Sequence, residues 1–153
     1  MKCSRRYSPK EEKMPQDIQK LAKDYLAAWN SHDWNKVSQY FPDDGVYEGL
    51  ASGMVCHGKQ EFKAYFEGTI AWSSDFKIAS KSLFVAGDWI ANEWTMSGTH
   101  SGDTPGMPAT GKKYSIPGAS IMEFHNGKLK RHSDYWSLFT FLQQVGLMPG
   151  APA

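Results

Sequence analysis

Cysteine is scarce in this chain. Of 153 residues only Cys3 and Cys56 carry thiols, and neither lies in a CxxC pair or another metal-ligand spacing. That excludes a disulfide scaffold and makes a cytoplasmic protein with reduced thiols the expectation. Long apolar runs are also missing. No stretch approaches the roughly 18 apolar residues of a membrane span, and the start, MKCSRRYSPKEEKMPQD, has no apolar segment of the signal-peptide kind. An excess of one charge sign is absent too: the formal charge is +1 with the signs interspersed, so neither nucleic acid nor an anionic membrane is implied as a partner. His57, His125 and the other histidines show no HxH or HExxH spacing, and there is no GxGxxG or P-loop. Metal, dinucleotide and triphosphate sites are therefore not expected, and no cofactor is.

What the chain has in quantity is aromatic side chains, 6 Trp, 7 Tyr and 8 Phe, which suit either a thick core or an aromatic-lined ligand cavity. The length allows one compact domain and is short for two. We expect a polar tail over residues 1–14, a single domain over 15–148 and a short Pro-rich tail over 149–153.

Within the domain, Ile18, Leu21, Ala22, Tyr25, Leu26 and Trp29 fall on one helix face, with Pro15 near the first turn. Asn30 to Asp33 ends that helix, and Asp33 caps a short second one around Val37, Tyr40 and Phe41. Val46 to Glu48 is a short strand, followed by a loop through Gly49, Gly53 and Gly58. Phe62, Tyr65 and Phe66 then share a face of a third helix. From Phe76 the period changes to two: a strand to Val85, a turn at Ala86–Asp88, and a long strand from Trp89 to His100. Residues 101–111 are loop chemistry. Tyr114 to Phe124 is the next strand, with a bulge or bend expected at Pro117-Gly118. Asn126-Gly127 is a two-residue hairpin turn. The last helix has Leu138, Phe141, Leu142 and Val145 on one face and stops at Gly146. This order implies an α+β fold, with helices on one face of a curved, mostly antiparallel sheet that closes into a cone around a pocket.

The stretch from Gly127 to Leu147 organises the chain, because its strand carries the best candidate for chemistry. Alternation places His132, Asp134 and Trp136 on one face and Arg131, Ser133 and Tyr135 on the other. A base, an acid and an aromatic wall thus share a surface. The competing reading is that Asp134 merely caps the following helix.

YLAAWNSHDWNKVSQYFPDDGVYE, CHGKQEFKAYF, GTHSGDTPGMPATGKKY and FHNGKLKRHSDYWSLFTFLQQVGL together resemble the NTF2-like superfamily and, within it, the SnoaL-like polyketide cyclases. The resemblance spans nearly the whole domain. It implies an α+β cone of three to four helices on a curved sheet, a deep apolar cavity, and cofactor-free ring closure by an intramolecular aldol condensation on a hydrophobic carbonyl compound. It also implies a homodimer formed through the outer face of the sheet. Asp134 matches the acid/base residue of the late strand, and His100 of GTHSG would be a second polar group in the cavity. Many relatives read E.W…D here, and this chain departs from that pattern with Arg131, Ser133 and Ser137.

An aldol closure needs a proton taken from a carbon beside a carbonyl and one given to the new alkoxide, and a carboxylate serves both steps. An apolar pocket would raise its pKa toward neutrality. His132 or His100 would share the proton, with Glu48 and Asn92 as further polar candidates. Trp29, Tyr40, Phe62, Trp94, Met96 and Trp136 are candidates for the substrate wall, against plain core packing for each. Two other uses of such a fold stay open: a binder that sequesters an apolar ligand without turnover, and a dimeric association module.

Overall fold

The computed structural model describes residues 17–148. The two tails expected at the termini, and Pro15, lie outside them. Chain order is α1 (Ile18–Asn30), α2 (Trp34–Val37), β1 (Val46–Gly49), β2 (Met54–His57), α3 (Gly58–Trp72), β3 (Lys77–Ala86), β4 (Trp89–Thr99), β5 (Lys113–His125), β6 (Lys128–Trp136) and α4 (Leu138–Gln144). The strands form one six-stranded sheet in the order β2-β1-β6-β5-β4-β3. Neighbours are antiparallel except β1 and β6, which run parallel. That pairing brings the first half of the chain against its last strand. No helix among the described residues is long and apolar enough to cross a membrane.

Local chemistry explains most boundaries. Asp17 accepts from the Lys20 amide at the start of α1, and Asp33 accepts from the Asn35 amide at the start of α2. Asn126 and Gly127 both take positive φ, 48° and 77°, the pair of left-handed residues that a tight two-residue hairpin requires. α1 buries Ala22, Tyr25, Leu26 and Trp29, and the Trp29 ring meets Phe62 and Phe66 of α3 edge-on within one aromatic core.

Two expectations are corrected. The loop through Gly49 and Gly53 contains a strand, β2, which pairs with β1 from Val46↔His57 to Gly49↔Met54. At four residues between glycines it is too short to show a period. Pro117-Gly118 is not a bulge: β4 and β5 pair without interruption from Trp89↔Glu123 to Thr99↔Lys113. The β6 ladder begins only at Gly118↔Trp136, so the donor that Pro117 lacks is not missed on that side. The register shifts fall instead between Ser80 and Ser82 and between Glu123 and Phe124.

Candidate active site

The register of the sheet assembles the site. On the inner face Asp134 of β6 lies opposite Ser120 of β5, and His132 lies between Met122 of β5 and Tyr47 of β1. Cross-strand partners point to the same face, so these side chains meet. Ser120 Oγ donates to Asp134 Oδ1 at 2.5 Å, and His132 Nε2 lies 2.8 Å from the same oxygen. The Tyr47 hydroxyl donates to Oδ2 at 2.7 Å. Behind these groups, Trp94 Nε1 donates to Ser120 Oγ at 2.7 Å, the Tyr25 hydroxyl is 3.0 Å from His132 Nδ1, and the Tyr65 hydroxyl is 2.8 Å from that of Tyr47. A carboxylate beside Nε2 places the imidazole proton there, which leaves Nδ1 to accept from Tyr25.

The cap reading of Asp134 therefore fails. Ser137 caps α4, accepting from the Thr140 amide, and Asp134 is turned inward with 13% of its side chain exposed. Burial does oppose its charge, but the His132 imidazole and the hydrogen bonds from His132, Ser120 and Tyr47 outweigh that and hold the carboxyl below its ordinary value. The expectation of a raised pKa is thus reversed, because the pocket is apolar in its walls but rich in donors at this one group. The phenols of Tyr47 and Tyr65 move the other way. Burial first, and then the Asp134 charge, push both upward and keep them protonated.

Around the cluster, Trp29, Tyr65, Trp72, Trp94, Met96 and Trp136 help to wall a largely enclosed cavity that also touches Tyr47, Ser120, His132 and Asp134. The indoles fill it so well that about 30 Å³ remains for water-sized occupants. A roomy pocket is not present in this closed arrangement. Trp29 contributes a buried indole N–H whose influence falls on the Tyr25 hydroxyl, though the contact is too loose for a well-formed hydrogen bond.

The other candidates sort clearly. His100 does not join Asp134: it is buried at 1% exposure, its Nδ1 lies 3.2 Å from Thr110 Oγ1, and its ring packs on Trp72 and Phe141. It ties the 101–111 loop to the core, as its amide bond to the Lys112 carbonyl also shows. Tyr40 and Phe62 leave the wall for the core: Tyr40 sets its ring edge against Tyr25, and Phe62 stacks on Phe41 at 4.2 Å. Glu48 faces the opposite side of the sheet, paired with Arg131 at 2.9 Å and accepting from Ser133. Asn92 is buried and bonds Ser80, 2.6 Å away. Among the described residues no three His, Cys, Asp or Glu side chains gather where they could hold a metal ion.

Tyr25, Tyr47, Tyr65 and Ser120 complete the site and were not among its sequence candidates. Tyr47 had a usable hint, since alternation in β1 sets it opposite in facing to Val46 and Glu48. Nothing local could place it beside β6.

An α+β sheet wrapped on its helices, with an enclosed polar cluster on its inner face, defines the NTF2-like, ketosteroid-isomerase-like fold. A solved protein of ketosteroid isomerase-like fold from Catenulispora acidiphila superposes with a TM-score of 0.73 at 22% identity, over 86% of this chain and 97% of the other. Within that fold class the chain belongs to the SnoaL-like polyketide cyclase family, whose family model matches residues 19–145. Curated relatives include an aklanonic acid methyl ester cyclase of Streptomyces sp. (strain C5), 30% identical over 82% of this chain and 80% of the relative. A nogalonic acid methyl ester cyclase of Streptomyces nogalater is 23% identical over 79% and 91% respectively.

Proposed function

We propose that the protein closes a ring in a polyketide-like carbonyl compound by an intramolecular aldol reaction, with Asp134 as the base. The observation that carries this reading is the Asp134 carboxylate itself, held ionised by its donors on the wall of an aromatic cavity. A carboxylate of lowered pKa is a weak base. It suits a C–H made acidic by two flanking carbonyls, as in a β-keto ester, and not one beside a lone ketone. The curated relatives are named for methyl ester substrates, and an ester carbonyl is one of the two that such a C–H needs. His132, fixed by Tyr25, orients Asp134, while Trp94, Met96 and Trp136 form the wall against a planar ligand. Entry requires these side chains to part.

The test is incubation with aklanonic acid methyl ester, reading by LC–MS for a product of equal mass and altered retention. A ligand seen by native mass spectrometry that never converts would favour the sequestering binder. The acidity of Asp134 also sets the pH profile. Its acid limb in kcat/KM is expected below pH 3.8, the ordinary carboxyl value, measured by initial rates after a pH jump. A limb at pH 5 to 6 would contradict the ionised base. The same sign governs stability: the share that Asp134 contributes is fully present above its unfolded value and is lost as pH falls below 3.8 through the lower folded value.

A homodimer through the outer sheet face belongs to the same proposal, with a cytoplasmic location in keeping with the free, buried Cys56. Val55, Phe84, Trp89 and Tyr135 lie exposed on that face, large apolar side chains of the kind an interface covers. Phe84, 62% exposed, is the probe. Sedimentation velocity is expected to show a dimer for the parent and a monomer for Phe84→Arg, and a parent that sediments as a monomer at all concentrations would end the idea.

A further inference from the structure

An aldol closure moves two protons at two places: one leaves a carbon, and one arrives on the oxygen of the carbonyl being attacked. The cluster around Asp134 is built asymmetrically with respect to that need. Oδ1 already takes two donors, Ser120 and His132, whereas Oδ2 takes only Tyr47. The open lone pair for a substrate proton is therefore on Oδ2. Tyr47 in turn lies between two acceptors, Asp134 Oδ2 at 2.7 Å and the Tyr65 oxygen at 2.8 Å, and its single O–H serves only one of them at a time. Tyr47, Tyr65 and Asp134 all line the same cavity.

We infer that Tyr65 is the general acid of the reaction, reloaded from Asp134 through the Tyr47 hydroxyl. This rests on the reading of Asp134 as base. Asp134 Oδ2 removes the C–H proton, and the C–H electron pair forms the new C–C bond. The carbonyl π pair moves to oxygen, which takes the Tyr65 proton. Tyr65 takes the Tyr47 proton, and Tyr47 takes the one now on Asp134. All three groups return to their starting states and the product is an isomer of the substrate, with no oxidant, reductant or water consumed. The two phenols stay protonated at rest, so the acid is loaded whenever the base is free. The arrangement separates the site of proton uptake from the site of delivery by two hydrogen bonds. A carboxylate acting alone would have to reach both.

The relay is testable on the unliganded protein and again in turnover. In a ¹³C-NMR titration of the Asp134 carboxyl, Tyr47→Phe is expected to raise its pKa by removing a donor. Tyr65→Phe is expected to lower it, although Tyr65 does not touch Asp134, because the single Tyr47 O–H then has only Asp134 Oδ2 left to serve. Tyr65→Phe added to Tyr47→Phe should then shift nothing further. In turnover of aklanonic acid methyl ester, Tyr65→Phe is expected to lower kcat about 10²-fold or more with KM little changed, and the double variant should be no slower than the slower single one. A Tyr65→Phe protein that titrates as the parent overturns the relay whatever the substrate proves to be. Full kcat in Tyr65→Phe beside an inactive Asp134→Asn overturns the acid and leaves the base standing, while an active Asp134→Asn removes the base reading itself.

Discussion

Asp134→Asn gives a folded protein that no longer closes rings, with kcat lowered about 10²- to 10⁴-fold, the range attributable to a positioned acid/base group. The substitution isolates chemistry from structure because the amide fits the existing bonds. Its oxygen takes the Oδ1 place and still accepts from Ser120 and His132. Its NH₂ takes the Oδ2 place and donates to the Tyr47 oxygen, whose own proton turns to Tyr65 2.8 Å away. Urea midpoint and near-UV dichroism should stay close to the parent. Asp134→Ala is the contrast. It strands the Ser120, Tyr47 and His132 donors in a buried place, at about 1–3 kcal/mol for each one left unbonded, and is expected to unfold at clearly lower urea. Parent-like turnover by Asp134→Asn would show that the carboxylate serves the fold alone.

The reach of the sequence can be judged at particular residues. Alternation along β6 was enough to put His132, Asp134 and Trp136 on one face, because period two is a property of the strand and needs no partner. Turn chemistry was enough at Asn126-Gly127, where two left-handed residues are needed, and at Asp33, where a short acceptor caps a helix. The sites of failure are those settled by long-range pairing. The hydrogen bond from Tyr47 to Asp134 spans 87 positions and exists because β1 lies parallel to β6, a neighbour that local pattern cannot name. The sign of the Asp134 pKa shift is set by several neighbours: burial opposes the charge, His132 on the same strand does most to offset it, and Ser120 of β5 and Tyr47 of β1 add to that. From sequence alone an acid on an apolar face looks neutral at mild pH, and only the converging donors reverse that. His100 shows the same limit: the GTHSG resemblance made it a polar group of the cavity, but the loop folds back and its imidazole packs between Trp72 and Phe141.

Gly118→Ala is expected to damage both stability and the site, from a position that carries no functional group. Gly118 pairs with Trp94 across β4 and β5, so both face inward, and the indole lies over the glycine. A Cβ there would sit 2.3 Å from Trp94 Cη2 and 2.5 Å from Cζ3. Trp94 is 3% exposed and has no solvent to swing into, so the strands must part or the ring must shift. Overpacking of this kind costs about 1–3 kcal/mol, readable as a lower urea midpoint. The ring cannot shift without loss, because Trp94 Nε1 holds Ser120 Oγ at 2.7 Å. An indole N–H only donates, so it occupies a Ser120 lone pair and directs the one Ser120 proton to Asp134 Oδ1. Without that bond the serine hydroxyl is free to rotate, the carboxylate loses a donor, and its titration should move upward in the same ¹³C experiment. Gly68→Ala is the control. It lies exposed in α3 with nothing within 4 Å of the added carbon, and alanine in a helix interior is expected to raise stability by up to about 1 kcal/mol. Opposite signs for one added methyl at two glycines would show that residue 118 is kept small by the ring that faces it, and that the basicity of Asp134 is set partly by a position two residues along the neighbouring strand.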